Sequence, residues 1–158
     1  MDAKYITPFI DAAEAVFQEF FQLKPEIRKP YWVEPSDIKE WEVSAIIGIA
    51  GETRGCVVLS FSKMAAEKLT AILVGRPISV LDDDVVDTIG EVVNIIAGNA
   101  KKGLEQYKLM ISLPSVVRGR EHNITFGGKA IPVIGIPMDT PHGMVHLSVG
   151  LENIITQD

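Results

Sequence analysis

Ile47-Gly48-Ile49, followed by Gly55 and the apolar run VVLSF, returns 87 residues later as Ile134-Gly135-Ile136, followed by Gly143 and VHLSV, the offset becoming 88 across the turn. Each copy reads as two alternating apolar runs joined by turn residues, GETR in the first and DTPH in the second, which is the pattern of a β-hairpin. A long amphipathic segment precedes each copy, and a further strand lies between helix and hairpin. Such a chain is expected to lay two long helices against one antiparallel sheet. The fold class that follows is α+β, a two-layer sandwich with pseudo-repeated helix-strand-hairpin halves. A length of 158 residues, 47% of them hydrophobic, suits a single domain covering 1–158.

The periodicity places a first helix over roughly Pro8 to Leu23, with Phe9, Ala12, Ala13, Val16, Phe17, Phe20 and Phe21 on one face. IRKPYWVEP reads as a short strand weakened by Pro30. Ser62 is positioned to cap a linking helix over KMAAEKLTAILV, stopped by Gly75 and Pro77. Asp82, Asp83 and Asp84 then open a long helix predicted to run to about Gln106, with Lys101, Lys102 and Lys108 at its far end, each set matching the macrodipole. Further strands are expected at SLPSVVRG, around KAIPVIGIPM, possible also over NITF, and at GMVHLSVGL.

On the long helix, Val85, Ile89, Val92, Val93, Ile96, Ala97, Ala100 and Leu104 share the core face. Opposite them Asp87, Glu91, Asn94, Gly98, Lys101 and Glu105 form one outward row, with Ile95 beside it, also read as outward. A polar outer face is ordinary. Gly98, however, costs about 1 kcal/mol relative to Ala in an exposed helix, and Asn94 adds up to ~0.7 kcal/mol. Nothing in the core requires either. The glycine leaves a notch for a second surface, Ile95 would offer it an apolar contact, and Asp87 and Lys101 extend the face, so the row reads as a docking surface. An amide can fix the orientation of a water and a carboxylate can pair with a cation on a partner. Holding a water in line for attack is one way to accelerate phosphoryl hydrolysis.

Other chemistries find no support. Fifteen basic against twenty-one acidic residues give a net charge of -6, with no basic stripe for nucleic acid. Cys56 cannot form an internal disulfide and reads as a small apolar strand residue. His142 and His146 are separated by a turn and lack a third ligand, so no metal site is expected. Arg118 and Arg120 flank Gly119 in what reads as a solvated loop, and FGGKAIP reads as a hairpin turn rather than a phosphate cradle. The N-terminus has acids where a signal peptide needs apolar residues, and the longest uncharged run, TPHGMVHLSVGL, falls short of the ~18 residues needed to span a bilayer. The expectation is a soluble, cytoplasmic protein.

The segment GEVVNIIAGNAKKGLE, with Glu91, Asn94 and Gly98 in an E-x-x-N-x-x-x-G frame followed by LPSVVRG, closely resembles the CheX branch of the CheC/CheX/FliY phosphatases of bacterial chemotaxis. The resemblance extends over nearly the whole chain. It implies dephosphorylation of a response-regulator receiver, typically CheY. Asn94 would orient the attacking water and Glu91 would pair with the receiver's lysine. No cofactor of this chain's own is implied, because the phosphoryl group, its aspartate and the Mg²⁺ belong to the partner. Family members related to CheC often carry the motif on both long helices. An offset of 77 places Glu14 and Phe17 at the corresponding positions of the first helix, and Phe17 cannot orient water, so one site per chain is expected. The resemblance also implies a homodimer formed through sheet edges, and VHLSVGL is read as a strand that would leave such an edge exposed. Two rival readings are a non-catalytic interaction module of related fold, like a flagellar-switch adaptor, and a small-molecule sensor, which would need a large apolar pocket.

Overall fold

The computed structural model describes residues 3–34, 41–122, 124, 131–152 and 154–155. In chain order it contains α1 (Ala3–Phe21), β1 (Glu26–Ile27), β2 (Tyr31–Trp32), β3 (Trp41–Gly51), β4 (Gly55–Phe61), α2 (Lys63–Val74), α3 (Asp83–Lys102), a 3-10 turn (Glu105–Tyr107), β5 (Leu109–Ile111), β6 (Ser115–His122), β7 (Val133–Thr140) and β8 (Gly143–Leu151). Among the described residues the strands form one eight-stranded antiparallel sheet with three helices packed on one face. This is the expected α+β sandwich.

The repeat is visible in the pairing, with a twist that the sequence does not announce. The two hairpins meet at the centre, where β4 pairs β8, and each half hands its short strands to the other: β1 and β2 lie on β7, while β5 and β6 lie on β3. Alternation along β3, β4 and β8 sends Val43, Ala45, Ile47, Val57, Leu59, Phe61, Val145, Leu147 and Val149 under the helices. There they meet Phe9, Phe17, Ile89, Val93 and Ile96 from α1 and α3. The other sheet face carries a polar set: the Ser44 hydroxyl lies 2.7 Å from both Ser60 Oγ and His122 Nε2, and buried His146 is 2.7 Å from the Tyr31 hydroxyl.

Several boundaries differ from expectation. Helix α1 starts at Ala3, more than a turn before Pro8, because Ile6 is buried and the Tyr107 hydroxyl donates to that of Tyr5 at 2.8 Å, tying down a turn that Pro8 does not initiate. Helix α3 stops at Lys102, since Gly103 turns the chain into the 3-10 segment, and Glu105 leaves the outward row. A side chain at Gly103 would come within 2.9 Å of Pro8, so this glycine allows α1 and the end of α3 to close together. The strand expected at 27–35 is two short strands separated around Pro30. SLPSVVRG divides between β6 and the corner before it, and Arg118 to Arg120 lie in strand rather than loop. Most of NITF and of FGGKAIP lies outside the described residues.

The edge expected at VHLSVGL is absent: β8 is flanked on both sides, by β4 and β7. Central placement follows from its burial, with Val145, Leu147, Val149 and Leu151 all in the core. The outer positions of the sheet belong to β5 and β6 on one side and β1 and β2 on the other.

Candidate functional site

Asp82 caps α3, its carboxylate accepting from Val85 N at 3.1 Å, and Asp83 and Asp84 follow in the first turn. Arg76 reaches back to Asp82 at 3.0 Å and also contacts Asp84. Arg118 donates to the Leu81 carbonyl at 3.0 Å and pairs with Asp83 at 3.4 Å. The acidic helix start is thus fixed and partly neutralised from within the chain, which gives Arg118 a structural role.

Beyond that start the outward row stands as expected as far as Lys101. Asp87, Glu91 and Lys101 are exposed, while Asn94 and Gly98 are half-buried on the same side of the helix. Among the described residues, neither Glu91 nor Asn94 forms a hydrogen bond or ion pair with another side chain. Both groups therefore face solvent with their bonding capacity open to a second molecule. A Cβ built on Gly98 meets nothing within 4 Å, so the notch is real and no intramolecular contact explains the glycine.

Ile95 departs from its expected place: it is half-buried and packs against the core cluster rather than standing straight out. Its apolar contribution to the outer face is correspondingly small. Sequence reading also missed Gly90. This glycine is buried, and a Cβ there would lie in ordinary contact, 3.5 Å from Val116 Cγ2 and 3.7 Å from Pro114 Cγ, so the start of β6 and the corner before it lie against the flank of α3. A second glycine two turns before Gly98 was the available signal.

The first helix is out of phase with the offset of 77. Buried Phe9, Ala12, Ala13, Val16, Phe17 and Phe21 match buried Val85, Thr88, Ile89, Val92, Val93 and Ala97 at an offset of 76. Phe17 is a core residue, and Glu14 pairs with Lys24 at 3.6 Å. In the structural register Ala15 and Gln18 correspond to Glu91 and Asn94, so α1 presents an amide with alanine, not a carboxylate, three residues before it.

His142 and His146 do not converge on a site: His146 is held by Tyr31 and by Ser148, whose Oγ lies 3.1 Å from Nδ1. No group of three or more His, Cys, Asp or Glu able to hold a metal occurs among the described residues. A groove of about 630 Å³ runs between α1 and α3, but it is open and lined by Lys4, Asp11 and Asn99 as well as Pro8 and Ala12, unlike the enclosed apolar pocket a sensor would need. No helix among the described residues is long and apolar enough to cross a membrane.

The profile of the Chemotaxis phosphatase CheX family matches residues 43–138. The CheY-P phosphatase CheX of Thermotoga maritima is 30% identical over 131 residues, covering 80% of this chain and 84% of its own length. The chemotaxis protein CheX of Desulfovibrio desulfuricans superposes with a TM-score of 0.86 at 30% identity, over 94% of this chain and 99% of that one. The Borrelia burgdorferi CheX, solved as a CheX–CheY–BeF₃–Mg²⁺ complex, gives a TM-score of 0.78 at 26% identity over 93% and 97%. With its repeat, its sheet and its outward helix row accounted for, this chain belongs to the CheX family of chemotaxis phosphatases.

Proposed function

We propose that this chain, acting as a single domain, hydrolyses the phospho-aspartate of a CheY-like response-regulator receiver, with Asn94 and Glu91 as its catalytic residues. The observation that carries the proposal is the outward, unengaged pair Glu91 and Asn94 beside the open position at Gly98, in a member of a phosphatase family. Thermotoga CheX is a CheY-P phosphatase, and Borrelia CheX forms a complex with CheY, BeF₃ and Mg²⁺, which supports a receiver as partner.

In this reading Asn94 enters the receiver's pocket and its carboxamide oxygen accepts a hydrogen bond from water, aiming the water oxygen at phosphorus. The new P–O bond forms as the bond to the aspartyl oxygen breaks, releasing inorganic phosphate and restoring the carboxylate. Positioning supplies most of the acceleration. Glu91 pairs with a lysine of the receiver and fixes the approach, and Asp87, Gly98 and Lys101 extend the contact. The Mg²⁺ that neutralises charge on the phosphoryl oxygens is held by the receiver, and this chain needs no cofactor. The proposal includes a cytoplasmic location and a homodimer joined at a free sheet edge.

The test follows the decay of a CheY-type receiver charged with acetyl phosphate in the presence of Mg²⁺. Asn94→Ala should lose on the order of a hundredfold in kcat while still binding the BeF₃-loaded receiver, and Glu91→Ala should lose affinity as well. Equal decay with and without the wild-type chain rejects catalysis and leaves the adaptor reading, in which the row binds a partner without accelerating anything.

A further inference from the structure

The most exposed large apolar side chain among the described residues is not on a helix. It is Leu113, 86% exposed, at the corner between β5 and β6. The corner is firmly built. Ser112 N donates to the Gly48 carbonyl at 2.9 Å, Gly48 N donates to Ser112 Oγ at 2.9 Å, and that hydroxyl donates to the Leu113 carbonyl at 2.9 Å. Pro114 follows and rests on Gly90. A leucine held by a fixed backbone yet left in water contributes nothing to the core, whereas ordering it costs a partner little entropy on binding.

Its position gives it an occupant. The chain from β5 to β6 runs antiparallel to α3, from Leu109 just after the helix end to Arg118 at Leu81 and Asp83 by the helix start. Pro114 and Val116 lie against Gly90, one turn before Asn94, and Leu113 is bonded directly to Pro114, which keeps it within a patch of interface size around Asn94. One turn is about 5.4 Å. A stable interface covers ~800 Å² on each partner, a patch about 30 Å across. A folded domain docked with a phosphoryl group at Asn94 therefore covers this corner too.

Resting on the function proposed above, we infer that Leu113 is a docking residue for the phosphorylated receiver, supplying the apolar contact of an interface whose centre is otherwise polar. It touches no reacting atom. Its effect is on the encounter and on the affinity, with Asn94 carrying the chemistry.

The experiment is the decay of the acetyl-phosphate-charged receiver with Mg²⁺, run over a range of receiver concentrations for wild type, Leu113→Ala, Leu113→Met and Asn94→Ala. Thermal melts and sedimentation equilibrium accompany each chain. Leu113→Ala should raise KM about tenfold with kcat and Tm held, and Leu113→Met, which conserves volume, should restore KM. A wild-type KM for Leu113→Ala, in an assay where wild type accelerates decay and Asn94→Ala does not, overturns the inference and leaves the catalytic reading intact. A raised KM accompanied by a lower mass in sedimentation also overturns it, because Leu113 then joins two copies of this chain. Absence of any wild-type acceleration removes the catalytic reading and this inference with it.

Discussion

Replacing Gly98 with alanine sets stability against activity, and the structure gives the sign of each. Gly98 lies inside α3, its backbone has no positive φ, and an added Cβ meets no atom within 4 Å. The folded state therefore accepts the methyl group without strain, while the unfolded chain loses conformational freedom, so Gly98→Ala should stabilise by about 1 kcal/mol and raise Tm by roughly 2–4 °C for a chain of this size. If the notch exists for a partner, the same change crowds the docked receiver. Overfilling a packed contact costs ~1–3 kcal/mol, so KM for the phosphorylated receiver should rise by between about fivefold and a hundredfold, and Gly98→Leu should sit at the upper end. Calorimetry and the receiver-decay assay read the two effects on one preparation. A higher Tm with unchanged KM for both variants refutes the notch, and an unchanged Tm refutes the assignment of Gly98 to an unconstrained helical position.

Three further expectations concern other regions. Phe17→Asn, which would complete an acid-and-amide pair at the offset of 77, buries an amide at a fully enclosed site, so urea denaturation should record a loss of ~3–5 kcal/mol and the decay assay no added rate; a doubled rate at unchanged stability would contradict the helix register that puts Phe17 in the core. The hydrogen bond from Arg76 holds the Asp82 carboxyl below its ordinary 3.8, so its contribution to stability is present above the unfolded value and is lost as pH falls through the folded one. Melting temperature should accordingly drop below about pH 4, and Arg76→Ala should flatten that drop. Burial pushes the Cys56 thiol up to about 11, so a thiol reagent at pH 8 should label the folded protein on the order of a hundred times more slowly than the urea-unfolded chain, equal rates being the contrary result.

Much of this protein is legible in its sequence. The Ser62 and Asp82 caps, the Gly75 stop and the inward sets of the hairpins are local properties, set by spacing and by which residues satisfy helix ends, and each stands where spacing puts it. The row from Asp87 to Lys101 is legible for the same reason: a 3.6-residue period assigns faces from one stretch of chain. Sequence and structure part where a distant segment decides. Pro8 has the look of a helix start, but Tyr107 and the core hold the turn before it. Ile95 has an outward phase, but the neighbouring core takes it in. The strand repeat aligns the two long helices one residue out of phase, because a repeat in the strands does not fix the register of the helices.

The sequence alone determined the layers, the core face of each element and the carboxylate and amide that stand together on α3. Tertiary structure decided the order of strands, and with it that β8 is central while Pro114 and Val116 lie against Gly90 of α3 and the adjoining Leu113 is left exposed. The division has one physical cause. Side-chain periodicity is written in neighbours a few residues apart, whereas strand partners and helix flanks are chosen by the packing of segments far apart in the chain, and no local pattern records that choice.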